Sequence, residues 1–248
     1  MPHRWIVATS MGFTPGTRTF LEPGPVFGLM RELAGRPDRP RLTVVTTAGG
    51  DQEHWQGRIH EAFYGTPYDV TVLKLMPMPN VADPARLLLD SDLVWVGGGS
   101  VAGLLALWRL HELDVAMREA WEAGVVLGGV SAGSLCWHAG GTTDSFGPEL
   151  APVTNGLALL PYGNGVHYDS EPQRRPLLHR IVAEERLPLS YATDDGVGLV
   201  YDGTDLVEAV ADRAGASAYR VERLPDGSVL ETVLEPRLLR DADACDVG

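Results

Sequence analysis

Ser131 stands where an apolar, strand-like run meets a helix-like one, in Gly124-Val-Val-Leu-Gly-Gly-Val-Ser131-Ala-Gly-Ser-Leu-Cys-Trp137. Gly129-x-Ser131-x-Gly133 at such a junction is the context that a nucleophile elbow requires. The glycines let the backbone turn sharply, Ser131 is held with its hydroxyl outward, and the Ala132 N–H faces the oxyanion that acyl attack creates. The competing reading is an ordinary tight turn with Ser131 capping a helix. A second glycine cluster, Val96-Gly97-Gly98-Gly99-Ser100, closes the preceding apolar run. It has neither the spacing of a dinucleotide fingerprint nor the Lys-Ser/Thr of a phosphate loop. In a hydrolase it would supply a second oxyanion donor, the Gly99 N–H, opposite Ala132. Its plainer reading is a strand end packed against a helix start, with Ser100 as the cap.

A serine nucleophile needs a base, and the chain has seven histidines: His3, His54, His60, His111, His138, His167 and His179. His3 is terminal, while His54, His60 and His111 fall on expected helices. His138 is expected two turns along the helix after the elbow, and His179 lies in a basic helical stretch. His167, in Pro161-Tyr-Gly-Asn-Gly-Val-His-Tyr-Asp-Ser170, sits in a loop or short strand with no amphipathic role, which suits a general base. A turn histidine satisfied by the nearby Asp169 is the alternative. In α/β-hydrolases the acid lies between the serine and a C-terminal histidine. The segment between Ser131 and His167 is too short for that order, so the acid must follow His167. Thr193-Asp194-Asp195-Gly196 offers two adjacent carboxylates before the apolar run Val197–Tyr201. Only one can face the imidazole, because neighbouring side chains of an extended segment point opposite ways. By itself, Asp-Asp-Gly also reads as a surface turn.

Elements able to position these groups recur along the chain. Trp5–Thr9, Leu42–Thr47, Asp69–Leu75, Asp92–Val96 and Gly124–Gly128 read as buried strands. Gly24–Leu33, His54–Phe63, Pro84–Leu89, Val101–Leu110 and Leu113–Ala123 read as amphipathic helices between them. This alternation predicts an α/β fold, a mainly parallel sheet with helices on both faces and ligands beyond the carboxyl ends of its strands. After about residue 140 the expected strands Gly196–Tyr201, Asp205–Val210 and Ser217–Val221 are closely spaced, as in a C-terminal antiparallel extension. One domain over residues 1–240 is expected, followed by a disordered acidic tail, 241–248.

The 248 residues carry 20 Lys+Arg against 33 Asp+Glu, a formal net charge of −13. That excess argues against nucleic acid and anionic membranes as partners, because both recruit clustered cations. With 44% hydrophobic and 21% charged residues the chain is compositionally globular. Two cysteines, Cys136 and Cys245, make neither a disulfide framework nor a C-x-x-C site. No apolar run approaches the about 18 residues of a membrane span, and the one at the N-terminus is too short for a signal peptide. A reduced, cytoplasmic location is therefore expected.

Taken together, the Val96–Gly99 cluster, Gly129-Val-Ser131-Ala-Gly133, the His167 segment and Asp194-Asp195-Gly196 resemble the peptidase E and cyanophycinase family of serine peptidases. The match follows family order from near residue 5 to about residue 210. The core of that family is similar to class I glutamine amidotransferases, a flavodoxin-like arrangement. The resemblance implies Ser131 as nucleophile, His167 as base and then acid, Gly99 and Ala132 as oxyanion donors, and neither metal nor organic cofactor. Alignment through the following strand favours Asp194 as the carboxylate that orients His167, with Asp195 open as the alternative. Gly98, Ser100, Arg174 and Arg175 are substrate-binding candidates. Ser100 stands where peptidase E usually has Asn, and Ser134-Leu135 where it has Ala-Asn. Its aspartyl-dipeptide selectivity is associated with an arginine beyond the catalytic histidine. Here Arg174 or Arg175 would have to grip the substrate carboxylate, and a solvated helix start explains both equally well. The expected activity is hydrolysis of short peptides, aspartyl dipeptides among them, through an acyl-enzyme. The alternatives are a related esterase or amidase, a cyanophycin-type hydrolase, or a non-catalytic small-ligand-binding protein on the same scaffold. A glutamine amidotransferase is disfavoured, because Cys136 falls after the elbow. The expected partners are a small peptide and, optionally, a second copy of the chain in a homodimer.

Overall fold

The structure, a computed structural model, describes residues 3–239; the acidic tail 241–248 and Cys245 lie outside the described residues. The first part of the chain runs β1 (Trp5–Thr9), β2 (Phe13–Pro15), β3 (Leu21–Pro23), α1 (Pro25–Leu33), β4 (Arg41–Val45), α2 (Glu53–Ala62), β5 (Asp69–Leu73), α3 (Pro84–Leu89), β6 (Leu93–Val96), α4 (Val101–Leu110), α5 (Leu113–Ala123) and β7 (Val126–Val130). The second part runs α6 (Ala132–Leu135), β8 (His138–Thr143), β9 (Ala151–Val153), β10 (Leu160–Gly165), α7 (Arg174–Ala183), β11 (Ser190–Thr193), β12 (Val197–Asp202), β13 (Asp205–Ala211), β14 (Ala218–Arg223), β15 (Val229–Leu234) and β16 (Arg237–Leu238).

Eight strands form the main sheet in the order β16-β13-β12-β1-β7-β6-β4-β5. From β1 to β5 in that order all neighbours are parallel, while β12 and β13 extend the sheet antiparallel beyond β1. Side chains alternate between the two faces, as a period of two requires. Val7, Val44, Trp95 and Val126 pack with Phe27, Met30 and Ile59 of α1 and α2. Ile6, Ala8, Val45, Val94, Val96 and Leu127 pack with Leu88, Leu104, Trp108, Met117 and Trp121 of α3, α4 and α5. Helices therefore cover both faces, and each parallel strand reads as a nearly continuous apolar run.

The C-terminal part differs from the single extended sheet that the sequence suggests. Six strands, β15-β14-β11-β10-β8-β9, make a second sheet, backed by Leu177, Leu178, Ile181 and Val182 of α7. The helix after Ser131 is also shorter than expected, so His138 begins β8 rather than facing along a helix. Gly140 and Gly141 weaken a helix there and the following threonines favour a strand. At Gly141 a Cβ would come 2.1 Å from the Asn164 carbonyl oxygen, so the paired strands β8 and β10 lie too close there for a side chain.

The chain passes from β4 outward to β5 and returns to β6 on the other side of β4, so its course reverses between β4 and β6. Crevices at such reversals, beyond the carboxyl ends of the strands, are where open α/β sheets bind ligands. Asp51 anchors the loop after β4 at this point. Its buried carboxylate accepts hydrogen bonds from Thr46 Oγ1 (2.8 Å), the Leu75 amide (2.7 Å) and the Met76 amide (3.0 Å). Asp51→Ala would orphan these donors, and urea unfolding is expected to register a loss of roughly 2–4 kcal/mol. A loss below about 1 kcal/mol would mean that the tie contributes little.

Candidate active site

Ser131 adopts φ 57°, ψ −113° between β7 and α6, and its amide donates to the Thr9 carbonyl at 3.0 Å. A serine with positive φ is strained backbone, held by what surrounds it. The surroundings leave no room to relax. A Cβ at Gly133 would lie 2.1 Å from the Val96 carbonyl oxygen, and one at Gly129 would lie 2.6 Å from the same atom. On the other side, a Cβ at Gly98 would approach Ser131 Cβ to 3.3 Å and Oγ to 3.9 Å, so the glycine loop after β6 lies directly against the serine. Gly99 has φ 135° and backs onto Ala48. The amides of Gly99 and Ala132 have no acceptor among the described residues, the state an oxyanion donor needs before substrate arrives. Ser100 acts as a cap: its Oγ accepts from the Gly103 amide at 3.1 Å, and its own amide donates to the Ala48 carbonyl.

His167 follows β10, also at positive φ (53°). Its amide donates to Ser10 Oγ at 3.0 Å. Ser131 and His167 thus hang on consecutive residues, Thr9 and Ser10, at the carboxyl end of β1. His167 Nδ1 lies 2.5 Å from Asp195 Oδ1. With Nδ1 bonded to the carboxylate, Nε2 is the nitrogen left to exchange a proton with a nucleophile.

The favoured orienting acid, Asp194, faces elsewhere. It is buried and accepts from the Ser217 amide (3.0 Å) and the Tyr219 hydroxyl (3.1 Å). Burial pushes its carboxyl above the usual range, with the charge of Asp169 adding to the effect, although the Ser217 and Tyr219 bonds oppose it. The cause is strand parity. Thr193 and Asp195 point toward Ser10 and His167, whereas Ala192 and Asp194 point toward α7 and Tyr219. Asp195 is fixed through its backbone: its amide donates to Asp169 Oδ1 (2.8 Å) and its carbonyl accepts from Arg213 Nε (2.6 Å). Arg213 also pairs with Asp169 at 2.5 Å. Burial would raise the Asp169 carboxyl, yet the Asp195 amide and Arg213 outweigh it and hold the group below its ordinary value. Sequence reading missed Arg213 and gave Asp169 no such role, since neither lies in a motif.

Both arginine candidates are also corrected. Arg174 is 2% exposed, with its guanidinium on Glu171 (2.8 Å) and the Thr142 carbonyl. Arg175 lies over the Tyr168 and Tyr219 rings, 4.5 Å from each centroid, and is paired with Glu231. Arg174 is thus structural by burial, and Arg175 by stacking and pairing. His138 is fully buried, with Nδ1 on the Ser134 carbonyl, and burial lowers its pKa to about 4. Cys136 is buried too, and burial pushes its thiol well up, which removes it as a competing nucleophile.

Two neighbouring substitutions separate the aspartates. Asp195→Asn should lower kcat by roughly 10³–10⁴-fold, as when a triad acid is lost. Asp194→Asn keeps an acceptor for Ser217 and Tyr219, and turnover should stay within about threefold. A raised folded-state carboxyl stabilises the fold fully below its unfolded value, and that contribution fades as pH rises through the folded value. The Tm of Asp194→Asn relative to the wild type should therefore be higher at pH 7 than at pH 4.

A family model, peptidase family S51, matches residues 10–209. The uncharacterized peptidase YgaJ of Bacillus subtilis (strain 168) is 38% identical over 184 residues, 74% of this chain and 79% of that protein. Peptidase E of Shewanella denitrificans is 29% identical over 143 residues, 54% of this chain and 60% of its own. The crystal structure of a peptidase from an acI-B1 Actinobacterium shares the fold, with TM-score 0.65 at 18% identity over 94% of this chain and 95% of the other. The S51 match takes in the glycine loop, the elbow, His167 and the Asp194-Asp195 pair, and with the 38% identity it shows that the chain belongs to peptidase family S51, a serine-type peptidase.

Proposed function

We propose that this peptidase hydrolyses short peptides, dipeptides included, through an acyl-enzyme on Ser131. The observation that carries the reading is the 2.5 Å contact of His167 Nδ1 with Asp195, made by a histidine tethered one residue along β1 from the anchor of Ser131. His167 Nε2 takes the Ser131 proton as Oγ attacks the scissile carbonyl. The negative charge that develops on the carbonyl oxygen is met by the Gly99 and Ala132 amides. His167 then protonates the leaving amine and activates the water that releases the acyl group, while Asp195 holds the ring and stabilises the imidazolium. Compared with the expected assignment, Asp195 replaces Asp194, and Arg174 and Arg175 leave the substrate site.

The parallel order of the main sheet, with the nucleophile at a strand end, supports a class I glutamine amidotransferase-like core. No helix among the described residues is long and apolar enough to cross a membrane, and a cytoplasmic location is part of the same proposal.

Ser131→Ala should keep the Tm of the wild type and lose roughly 10⁴–10⁶-fold in kcat. A small fluorophosphonate should label the wild type at Ser131 and leave the variant unlabelled, as read by mass spectrometry of the peptide. Undiminished turnover by Ser131→Ala would refute the assignment.

A further inference from the structure

A half-enclosed cavity of ≈360 Å³ opens beside Ser131, at the reversal between β4 and β6. It lies at the lower end of the about 300–1,000 Å³ typical of small-molecule sites. Its walls are Met11, Phe13, Leu21, Trp55, Ile59 and Trp95. Two further lining residues join it to the nucleophile: Val130 precedes Ser131, and Gly98 is the glycine whose Cβ would touch the serine. The cavity is therefore continuous with the reacting centre.

The lining contains no acidic or basic residue. Its hydroxyls are already occupied, Ser10 with Thr193 and His167, and Thr46 with Asp51. The buried Trp95 Nε1–H, which has no acceptor among the described residues, is a neutral donor. A carboxylate or ammonium entering this space would lose water without finding a counter-charge, a cost that selects against charged side chains. An aliphatic or aromatic group loses nothing by leaving water and gains contact with the aromatic walls. The base of the cavity is rigid, because Trp95 packs on Phe27 with ring centroids 4.8 Å apart, and Phe27 packs in turn on Phe63.

We infer that this cavity receives an aliphatic or aromatic side chain of the substrate, so that the enzyme prefers short peptides with an apolar residue at one of the two positions flanking the scissile bond. The inference rests on the reading of Ser131 as nucleophile. Arg58 is a cation close to the rim, its guanidinium 5.3 Å from the Trp55 ring and 3.8 Å from that of Phe20. It identifies the rival outcome, recognition of an acidic side chain.

The test is a matrix of dipeptides and amide-capped dipeptides with Leu, Met, Phe, Ala, Asp, Glu and Lys at each position, scored by kcat/KM. At one position Leu, Met or Phe should exceed Asp, Glu and Lys by roughly tenfold or more. Trp55→Ala and Leu21→Glu, both at half-buried rim positions, should each cut kcat/KM for those substrates by about tenfold relative to Ala-containing dipeptides, with Ser131 still labelled by the fluorophosphonate. Three results would overturn the inference: equal rates across the matrix, apolar preference unchanged in both variants, or a preference for aspartate that Arg58→Ala removes. If the wild type neither labels nor cleaves any member of the matrix, the nucleophile reading fails first and takes the cavity assignment with it.

Discussion

Ser10 is the residue on which the site depends, because every polar atom it has is bound to a segment that carries a reacting group. Its amide donates to the Val197 carbonyl (2.8 Å) and its carbonyl accepts from the Gly196 amide (2.9 Å), which fixes the turn after Asp195. Its hydroxyl accepts the His167 amide and meets the Thr193 hydroxyl at 2.7 Å. The residue before it, Thr9, holds Ser131. A single strand end thereby sets the separation of three segments that lie far apart in the chain. Each such bond contributes only about 0.5–1.5 kcal/mol net, but as a buried set the bonds exclude alternative positions, because breaking any one orphans a desolvated group.

A second constraint acts on Ser131 itself. Positive φ at Ser131 costs on the order of 1–3 kcal/mol and persists only where packing leaves no other course. The Val96 carbonyl supplies that packing, since both flanking glycines press against it. The end of β6 therefore does two jobs: it wedges the turn that presents Ser131, and it continues into the glycine loop in which Gly99 is exposed. Ser131 and the Gly99 loop are set by the same contact, so the proposed nucleophile and oxyanion donor cannot shift independently.

Much of this was legible in the chain. Strands β1, β4, β5, β6 and β7 and helices α1 to α5 were foreseen to within a residue or two, because buried parallel strands and amphipathic helices have distinct apolar periods, whereas the short β2–β3 hairpin was not. Ser131, His167 and the Asp194-Asp195 pair were recognisable from residue type and order. The choice between the aspartates was not, because it turns on the parity of β11 and on which partner faces each side, and β11 pairs with β14 almost thirty residues downstream. The second sheet was hidden for a related reason. Its central strands β8 and β10 are rich in glycine, β11 is only four residues long, and these three pair across long connections, so periodicity carried little signal. His138 shows how local context misleads: a position two turns past a helix start is only helical if the helix survives the Gly140-Gly141 pair.

The arginines join the site's architecture to the overall charge. A chain of net charge −13 has few cations to place, and Arg174, Arg175 and Arg213 are engaged in holding the protein together. Arg174 is buried beneath β8, Arg175 lies over two tyrosine rings, and Arg213 braces Asp195 through its carbonyl and Asp169. Burying or stacking a guanidinium in this way fixes its direction, since its planar fork can satisfy only partners in its own plane. An arginine directed at Asp169 or Glu231 is therefore unavailable to a substrate without the loss of a structural ion pair. The electrostatics of the site are thus concentrated on orienting His167, and the space next to Ser131 is left neutral and apolar. In the proposed mechanism, catalytic power and substrate selection are separated physically. The first comes from charged and polar groups at the ends of β1, β10 and β11, and the second from the uncharged walls at the ends of β4 and β6.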